Sequence, residues 1–423
     1  GGGLAGLFTA TELVAAGVDD LMVVERADQP GGVARTVVRD GFQLEPAVGA
    51  FSLPHPHLSP ILTRIGAETS VAEGASVRQV YTGGRLLSIS PSPKTLLSPI
   101  VPWSAKLRAL AEPLVPARNL EDETVDHFCR RRFGNRAGEM VAWLMASGVF
   151  AGDPKRLSVR AAFSQLADLE RSSGSVLRGV LARRKAQDPG ATRPRLHYPS
   201  ENMTALTRKA ADALGERYRG GFGVEAVRKD GERWTVSGSE TVETGMVVLA
   251  IDPEQAAQLV DDELAEHLRE VERARVTVFG FGGEGDVLPR GFGALVGPDA
   301  SMLTRGLLYE SSYAPHRAPE GSWLLKAIAG GAPLADRLTS DVVGSVLGEV
   351  QAVLGRSLDP TFTEVVNHVP GIPQYNMGHL RWLERLDSLL ADRPGLYVTG
   401  WGYRGVGMTH RATDAVRLRG VVA

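Results

Sequence analysis

An α/β fold built on a Rossmann-type nucleotide-binding domain, with a mixed α+β substrate domain and a helical subdomain, is what this sequence predicts. Three observations carry it. A glycine triad opens the chain, a short apolar strand ends on an acid nineteen residues after the third glycine, and a glycine-rich passage from strand to helix lies near the C-terminus.

The length of 423 residues leaves room for separate cofactor and substrate domains. With 47 Lys plus Arg against 49 Asp plus Glu, no global charge steers the chain toward nucleic acid. Cys129 is the single cysteine, which excludes an internal disulfide and any multi-cysteine metal site and fits a reducing compartment. It lies in an Arg-rich helical stretch and reads as inert. No run of eighteen apolar residues and no basic-then-apolar leader is present, so the expected location is cytoplasmic. The chain begins inside its first motif, so an upstream strand or targeting signal can lie outside this sequence.

Gly1, Gly3 and Gly6 occupy the three glycine positions of G-x-G-x-x-G. The first permits a tight turn, the second lets a phosphate approach the backbone, and the third lets helix pack on strand. Leu4 and Ala5 complete the loop, and Leu4, Leu7, Ala10 and Val14 give a helix from Leu4 to Ala16 with Gly17 as its stop. A buried strand, Leu21 to Val24, follows and ends on Glu25, where a carboxylate accepts both adenosine ribose hydroxyls and repels a 2′-phosphate. Residues 30 to 36, Pro-Gly-Gly-Val-Ala-Arg-Thr, add a second cradle for a pyrophosphate at Gly31, Gly32 and Ala34. NAD-only units rarely need that second cradle, so the predicted cofactor is FAD.

These elements resemble the glutathione-reductase-like FAD superfamily, in its branch of amine oxidases, phytoene desaturases and protoporphyrinogen oxidases. The resemblance rests on Glu25, Gly31-Gly32 and the aromatic and acid Phe42 and Glu45. It implies that Arg26 and Arg35 lie near the adenosine and diphosphate.

The middle of the chain supports that branch. Gly83-Gly84-Arg85-Leu86-Leu87 reads as a hairpin turn, followed by a proline-punctuated run and a helix from Ser104 to Glu112. Leu107, Leu110 and Ala111 share one face of it, which reads as core-facing, with a shallow membrane contact as the alternative. Spacing alone makes Arg130-Arg131-Arg132 part of an exposed basic helix. Together with Glu123, Phe133-Gly134, Gly148 to Pro154, Leu157-Ser158, Glu170 and Gly174-Ser175, however, it resembles protoporphyrinogen and coproporphyrinogen oxidases over nearly the whole chain. Val224 to Val227 and Trp234 to Val236 read as two strands around Asp230-Gly231. The resemblance implies that the first returns to the nucleotide domain and that Val224 pairs with the adenine. Met246 to Ala250 completes the nucleotide sheet, and His197 and His379 read as structural.

From Gly371 to His379 the chain resembles the family's Pro-x-Tyr-x-x-Gly-His segment. Leu396 to Thr399 is a buried strand ended by Gly400 and Trp401, and Gly405-Val406-Gly407 precedes a helix from Thr409. The helix N-terminus offers free amides and partial positive charge. Placed at the flavin N1/C2=O edge by Val406, Gly407 and Met408, it would favour the reduced cofactor. The family pattern is broken at Met408 to Arg411, at Glu45 to Gly49, and at Glu201-Asn202-Met203, where a Gly-Gly is expected.

The expected division is an FAD domain (1–75, 200–255, 390–423), a substrate domain (76–94, 256–389) and a helical subdomain (95–199) with membrane association as its open alternative. The expected reaction is hydride removal from a small-molecule substrate with molecular oxygen as acceptor. No catalytic side chain is singled out, and no metal site is expected. Three functions stay open: porphyrinogen oxidation, a divergent oxidase, desaturase or amine oxidase of specialised metabolism, and a non-catalytic flavin protein. A homodimer and peripheral membrane contact are left open as well.

Overall fold

The computed structural model describes residues 1–89, 99–100, 102–118, 120–186, 190, 192–260, 262–332, 334, 337 and 342–422. Most of the proline-punctuated run before Trp103 lies outside them.

The first helix, Leu4–Ala15, is buried along its whole first part, from Leu4 to Leu13. It packs against the helices Leu58–Arg64, Met203–Asp212 and Met408–Val422 around Leu7, Phe8, Leu58, Ile61, Leu206 and Ala412. Gly17, at φ +89°, follows its C-cap. The strand behind it is shorter than predicted: only Val23–Val24 pairs, in parallel with Tyr218–Arg219, while Met22 is exposed. A second parallel pair joins Val247–Leu249 to Leu396–Val398, bringing the last part of the chain back to the N-terminal unit.

An antiparallel meander, Ala226–Asp230, Arg233–Ser237 and Thr241–Thr244, turns at Gly231, φ +60°. Val224 and Glu225 precede its first strand. The segment that returns beside Glu25 is therefore Tyr218–Arg219 with Phe222, whose amide donates to the Glu25 carbonyl at 2.8 Å. Two residues of backbone pairing leave no hydrophobic periodicity to detect.

A seven-stranded sheet forms the other lobe, in the order Phe362–Pro373, Arg273–Glu284, Ser322–Gly330, Thr304–Leu308, Gly293–Val296, Arg78–Thr82, Arg85–Ile89. The last two strands meet at the predicted Gly83-Gly84 turn, φ +58° and +69°, as a tight hairpin requires. Helix Val343–Leu354 covers one face, packing Val346 and Val350 on Phe279, Phe281, Leu325 and Ala327. The other face meets the N-terminal unit. There a Cβ on Gly280 would lie 2.7 Å from Leu44, and one on Gly282 2.7 Å from Phe42, so glycine is what lets the two lobes close.

The helices Val125–Phe133, Asn135–Phe150, Ser164–Ser173 and Val176–Ala186 enclose Phe128, Cys129, Ala142, Ala146, Phe150 and Leu169. Two expectations fail here. Arg131 and Arg132 are buried rather than exposed: Arg131 pairs with Glu123 (2.5 Å) and Glu170 (2.7 Å), and Arg132 pairs with Glu112 and Glu170 (3.1 Å). The helix Trp103–Leu110 is also inverted. Ala105 and Lys106 face inward, whereas Trp103, Leu107 and Leu110, and then Leu114, are more than half exposed. Arg108 docks this helix by donating to the carbonyls of Arg131 and Arg132, both at 3.1 Å, so its polar side meets the protein.

Candidate flavin site

Gly3 is the N-cap of the first helix, and no side chain accepts from the helix's first amides. Uncapped amides at a helix start are the donors an anion site uses. Gly1 and Gly6 are glycines of close packing: added Cβ atoms would lie 2.6 Å from the Ala250 carbonyl oxygen and 2.0 Å from that of Gly1. Gly3 has nothing nearer than 3.8 Å. What it faces is the second glycine turn. Gly3 and Gly31 form a parallel bridge, the Gly31 amide donates to the Gly2 carbonyl at 2.8 Å, and a Cβ on Gly32 would lie 3.3 Å from Gly3 Cα. Gly31 at φ +128° and Gly32 at +59° take conformations that favour glycine. Ala34 is buried behind them, its amide on the Gly31 carbonyl at 2.9 Å.

Glu25 stands at the end of Val23–Val24, half-exposed, and accepts from the Gly2 amide (2.6 Å) and the Ala27 amide (3.0 Å). Tyr218 lies beside it, and burial together with the Glu25 charge pushes its phenol up to about 12. Arg26 is exposed, beside Gly223 and the partly buried Val224, and Arg35 is exposed beside Gly31.

Sequence reasoning missed the clamp on the stretch Glu45 to Gly49. Glu45 is fully buried and accepts from Thr36 Oγ1 (3.0 Å) and the Met203 amide (2.9 Å). Burial raises its pKa, against the nearby Arg317. Lys326 Nζ, on the sheet, donates to the Glu45 carbonyl at 2.6 Å and pairs with Glu310 at 2.9 Å. Arg317 pairs with Glu310 and donates to the Gly49 carbonyl at 2.6 Å. These partners lie more than 250 residues away in sequence, and no motif marks them. The absent Gly-Gly near 202 is also accounted for: Asn202 caps the helix instead, Oδ1 accepting from the Ala205 amide at 2.9 Å.

At the C-terminal end Gly400 and Gly405 adopt φ +148° and +102°. The loop between them winds around Arg411. That fully buried side chain donates to the carbonyls of Gly400, Arg404 (3.1 Å) and Gly405 (2.5 Å). Tyr375 spans the loop, donating to the Trp401 carbonyl (2.6 Å) and accepting from the Gly405 amide (2.7 Å). His379 stacks on Tyr375 at 4.0 Å, bonds the Tyr403 carbonyl, and is held by burial at about 4, hence neutral, as a structural histidine should be. Val406 is partly buried, the Gly407 amide donates to His410 Nδ1 at 3.3 Å, and Met408 is buried as the first residue of the last helix.

Uncapped helix amides, two facing glycine turns and a terminal acid fit a dinucleotide flavin. The fold and this set define a class, the FAD-dependent oxidoreductases. The chain belongs to the family of flavin-containing amine oxidoreductases, which matches residues 4–414. It is 25% identical to coproporphyrinogen III oxidase of Bacillus subtilis (strain 168), over 96% of this chain and 93% of that one. It is 27% identical to the chloroplastic protoporphyrinogen oxidase of Oryza sativa subsp. japonica, over 96% and 84%. A crystal structure of a candidate protoporphyrinogen oxidase from Exiguobacterium sp. 255-15 superposes with a TM-score of 0.83 at 21% identity, covering 100% of this chain and 97% of the other. Among the described residues no helix is long and apolar enough to cross a membrane.

Proposed function

We propose that this protein is a porphyrinogen oxidase, removing hydride from a reduced tetrapyrrole with dioxygen as the terminal acceptor. The observation that carries it is the bridge between the Gly3 and Gly31 turns beside Glu25, in a chain aligned almost end to end with coproporphyrinogen and protoporphyrinogen oxidases. In this reading the FAD domain comprises 1–75, 200–255 and 390–423, and the residues named around Gly3, Gly31, Glu25, Val224 and Val406 hold the cofactor.

Bound FAD would supply the hydride acceptor and the passage of electrons to dioxygen. The protein's own part is orientation. The amides at the start of the first helix receive the diphosphate, and Glu25 receives the ribose. Arg411 and Tyr375 hold the 400–407 loop against the last helix. Lys326, Arg317 and Glu310 fix Glu45 to Gly49 between the lobes. The inverted helix Trp103–Leu110 supports peripheral membrane contact, since Trp103, Leu107, Leu110 and Leu114 offer an apolar ridge to lipid.

Aerobic incubation of the FAD-loaded protein with protoporphyrinogen or coproporphyrinogen should give porphyrin fluorescence and peroxide. Peroxide from another substrate without porphyrin formation would refute the porphyrinogen reading, and a flavin that no substrate reduces would refute the oxidase reading altogether. Binding to phosphatidylcholine liposomes, lost on Leu107→Asp with Leu110→Asp at unchanged melting temperature, tests the membrane contact.

A further inference from the structure

Among the described residues four arginines are almost wholly buried, and they differ in how their charge is met. Arg132 and Arg317 each pair with a buried glutamate, and Arg411 is wrapped by three carbonyls with Asp414 at 3.8 Å. Arg305, 2% exposed, has neither arrangement. Its Nη2 donates to the carbonyls of Gly152 (2.8 Å) and Ala332 (3.4 Å), while Nε and Nη1 have no hydrogen-bond partner among the described residues. Among the described residues Asp153 is the carboxylate whose field reaches it, and burial lowers its pKa to about 10, so it remains charged at neutral pH. A desolvated cation without a counter-ion is costly, and an unpartnered buried polar group calls for an explanation.

The backbone aims Arg305 deliberately. Thr304 pairs with Ala329 and bonds Glu349 on the helix-covered face of the sheet, whereas Gly306 pairs with Ile328, so Arg305 is the extra residue of a bulge. Bulges re-aim a side chain. Here the extra residue leaves Arg305 and Gly306 together on the face opposite Thr304, with Arg305 under the Trp143 ring of helix Asn135–Phe150, 4.1 Å from its centroid. That face also carries Lys326. Gly152, which accepts from Arg305, abuts Gln374, and the neighbouring Tyr375 holds the Gly405 amide. Arg305 is thus separated from the glycine turn of the last helix by a short chain of contacts.

We propose that Arg305 is the anchor for a carboxylate of the substrate, in the seam between the helix Asn135–Phe150 and the seven-stranded sheet. The inference rests on the porphyrinogen reading, because those substrates carry propionate side chains. A planar guanidinium suits a carboxylate, and completing the unpaired cation favours an acid over its ester. Trp143 is half-buried and must yield to admit the group.

The test uses the FAD-loaded protein and two probes, coproporphyrin III and its tetramethyl ester, with binding followed by porphyrin fluorescence. The wild type should hold the acid roughly tenfold or more tighter than the ester. Arg305→Met should bring that ratio near one without weakening the ester, and Arg305→Lys should retain part of it. Equal binding of acid and ester by the wild type, or an undiminished preference in Arg305→Met, overturns the anchor alone. A protein that binds neither probe overturns the porphyrinogen reading with it. If Arg305→Met does not fold, the wild-type ratio and Arg305→Lys decide.

Discussion

Replacing Gly31 by alanine isolates the contribution of the paired glycine turns. At φ +128° an L-residue lies outside the left-handed well, a strain of about 1–3 kcal/mol. The added Cβ would also lie 2.9 Å from the Ala34 carbonyl oxygen and 3.2 Å from Thr207 Oγ1, and such crowding costs a further 1–3 kcal/mol or so. The chain relieves this by moving the 30–36 turn, which breaks the Gly31 amide bond to Gly2 and opens the cradle. If only about 2 kcal/mol of this strain falls on the holo state, FAD affinity drops roughly thirtyfold. Gly17→Ala is the control. It also sits at positive φ, at the far end of the same helix with nothing within 4 Å, so it should lower stability by about 1–2 kcal/mol and leave FAD affinity unchanged. Flavin fluorescence quenching on reconstitution of the apoprotein measures both. Gly31→Ala binding FAD within threefold of wild type would refute the cradle.

Other perturbations test the interior. Arg132→Ala should cost about 3–5 kcal/mol in thermal or urea unfolding, because Glu112, fully buried, loses its partner. Burial alone would raise Glu112, but hydrogen bonds from Ser175, the Leu177 and Val176 amides and Arg132 outweigh it and hold it below the usual carboxylate value. Its stabilising contribution is therefore present above about pH 4.5 and lost as pH falls below that, a dependence Arg132→Ala should flatten. His379 is held down at about 4, so between about pH 6.5 and 4 the unfolded chain binds a proton that the folded chain refuses, and up to about 3 kcal/mol is lost on acidification. His379→Phe should be about 1 kcal/mol weaker at pH 7, having lost the bond to Tyr403, yet fall less steeply by pH 5; an unchanged slope would show that His379 is not the group responsible. Cys129, buried and with its thiol pushed up to about 12 by burial and by Asp126 and Glu123, should resist a thiol reagent at pH 8 until the chain is denatured.

Helix Leu4–Ala15, the Gly83-Gly84 hairpin, the meander turn at Gly231 and the strand before Gly400 were legible because each is written in neighbouring residues. Glycine supplies positive φ at a turn, and apolar spacing of three and four marks a helix. The helix Trp103–Leu110 marks where that reading stops. Its periodicity defines an apolar face, but only the docking of Arg108 on the carbonyls of Arg131 and Arg132 decides that this face looks outward. The basic run at Arg130 to Arg132 reads as solvated for the same reason, since Glu112 and Glu170 reach it from other segments.

The sequence by itself determined the FAD-type nucleotide unit, the acid that ends its strand and the glycine turn that begins its last helix, because these depend on backbone conformations that local residue types dictate. Tertiary structure alone decided that the Gly3 and Gly31 turns close on each other, that Lys326 and Arg317 hold Glu45 to Gly49, and that among the described residues Arg305 forms no ion pair. A charged side chain carries no record of its partner; only the fold brings the two together or keeps them apart.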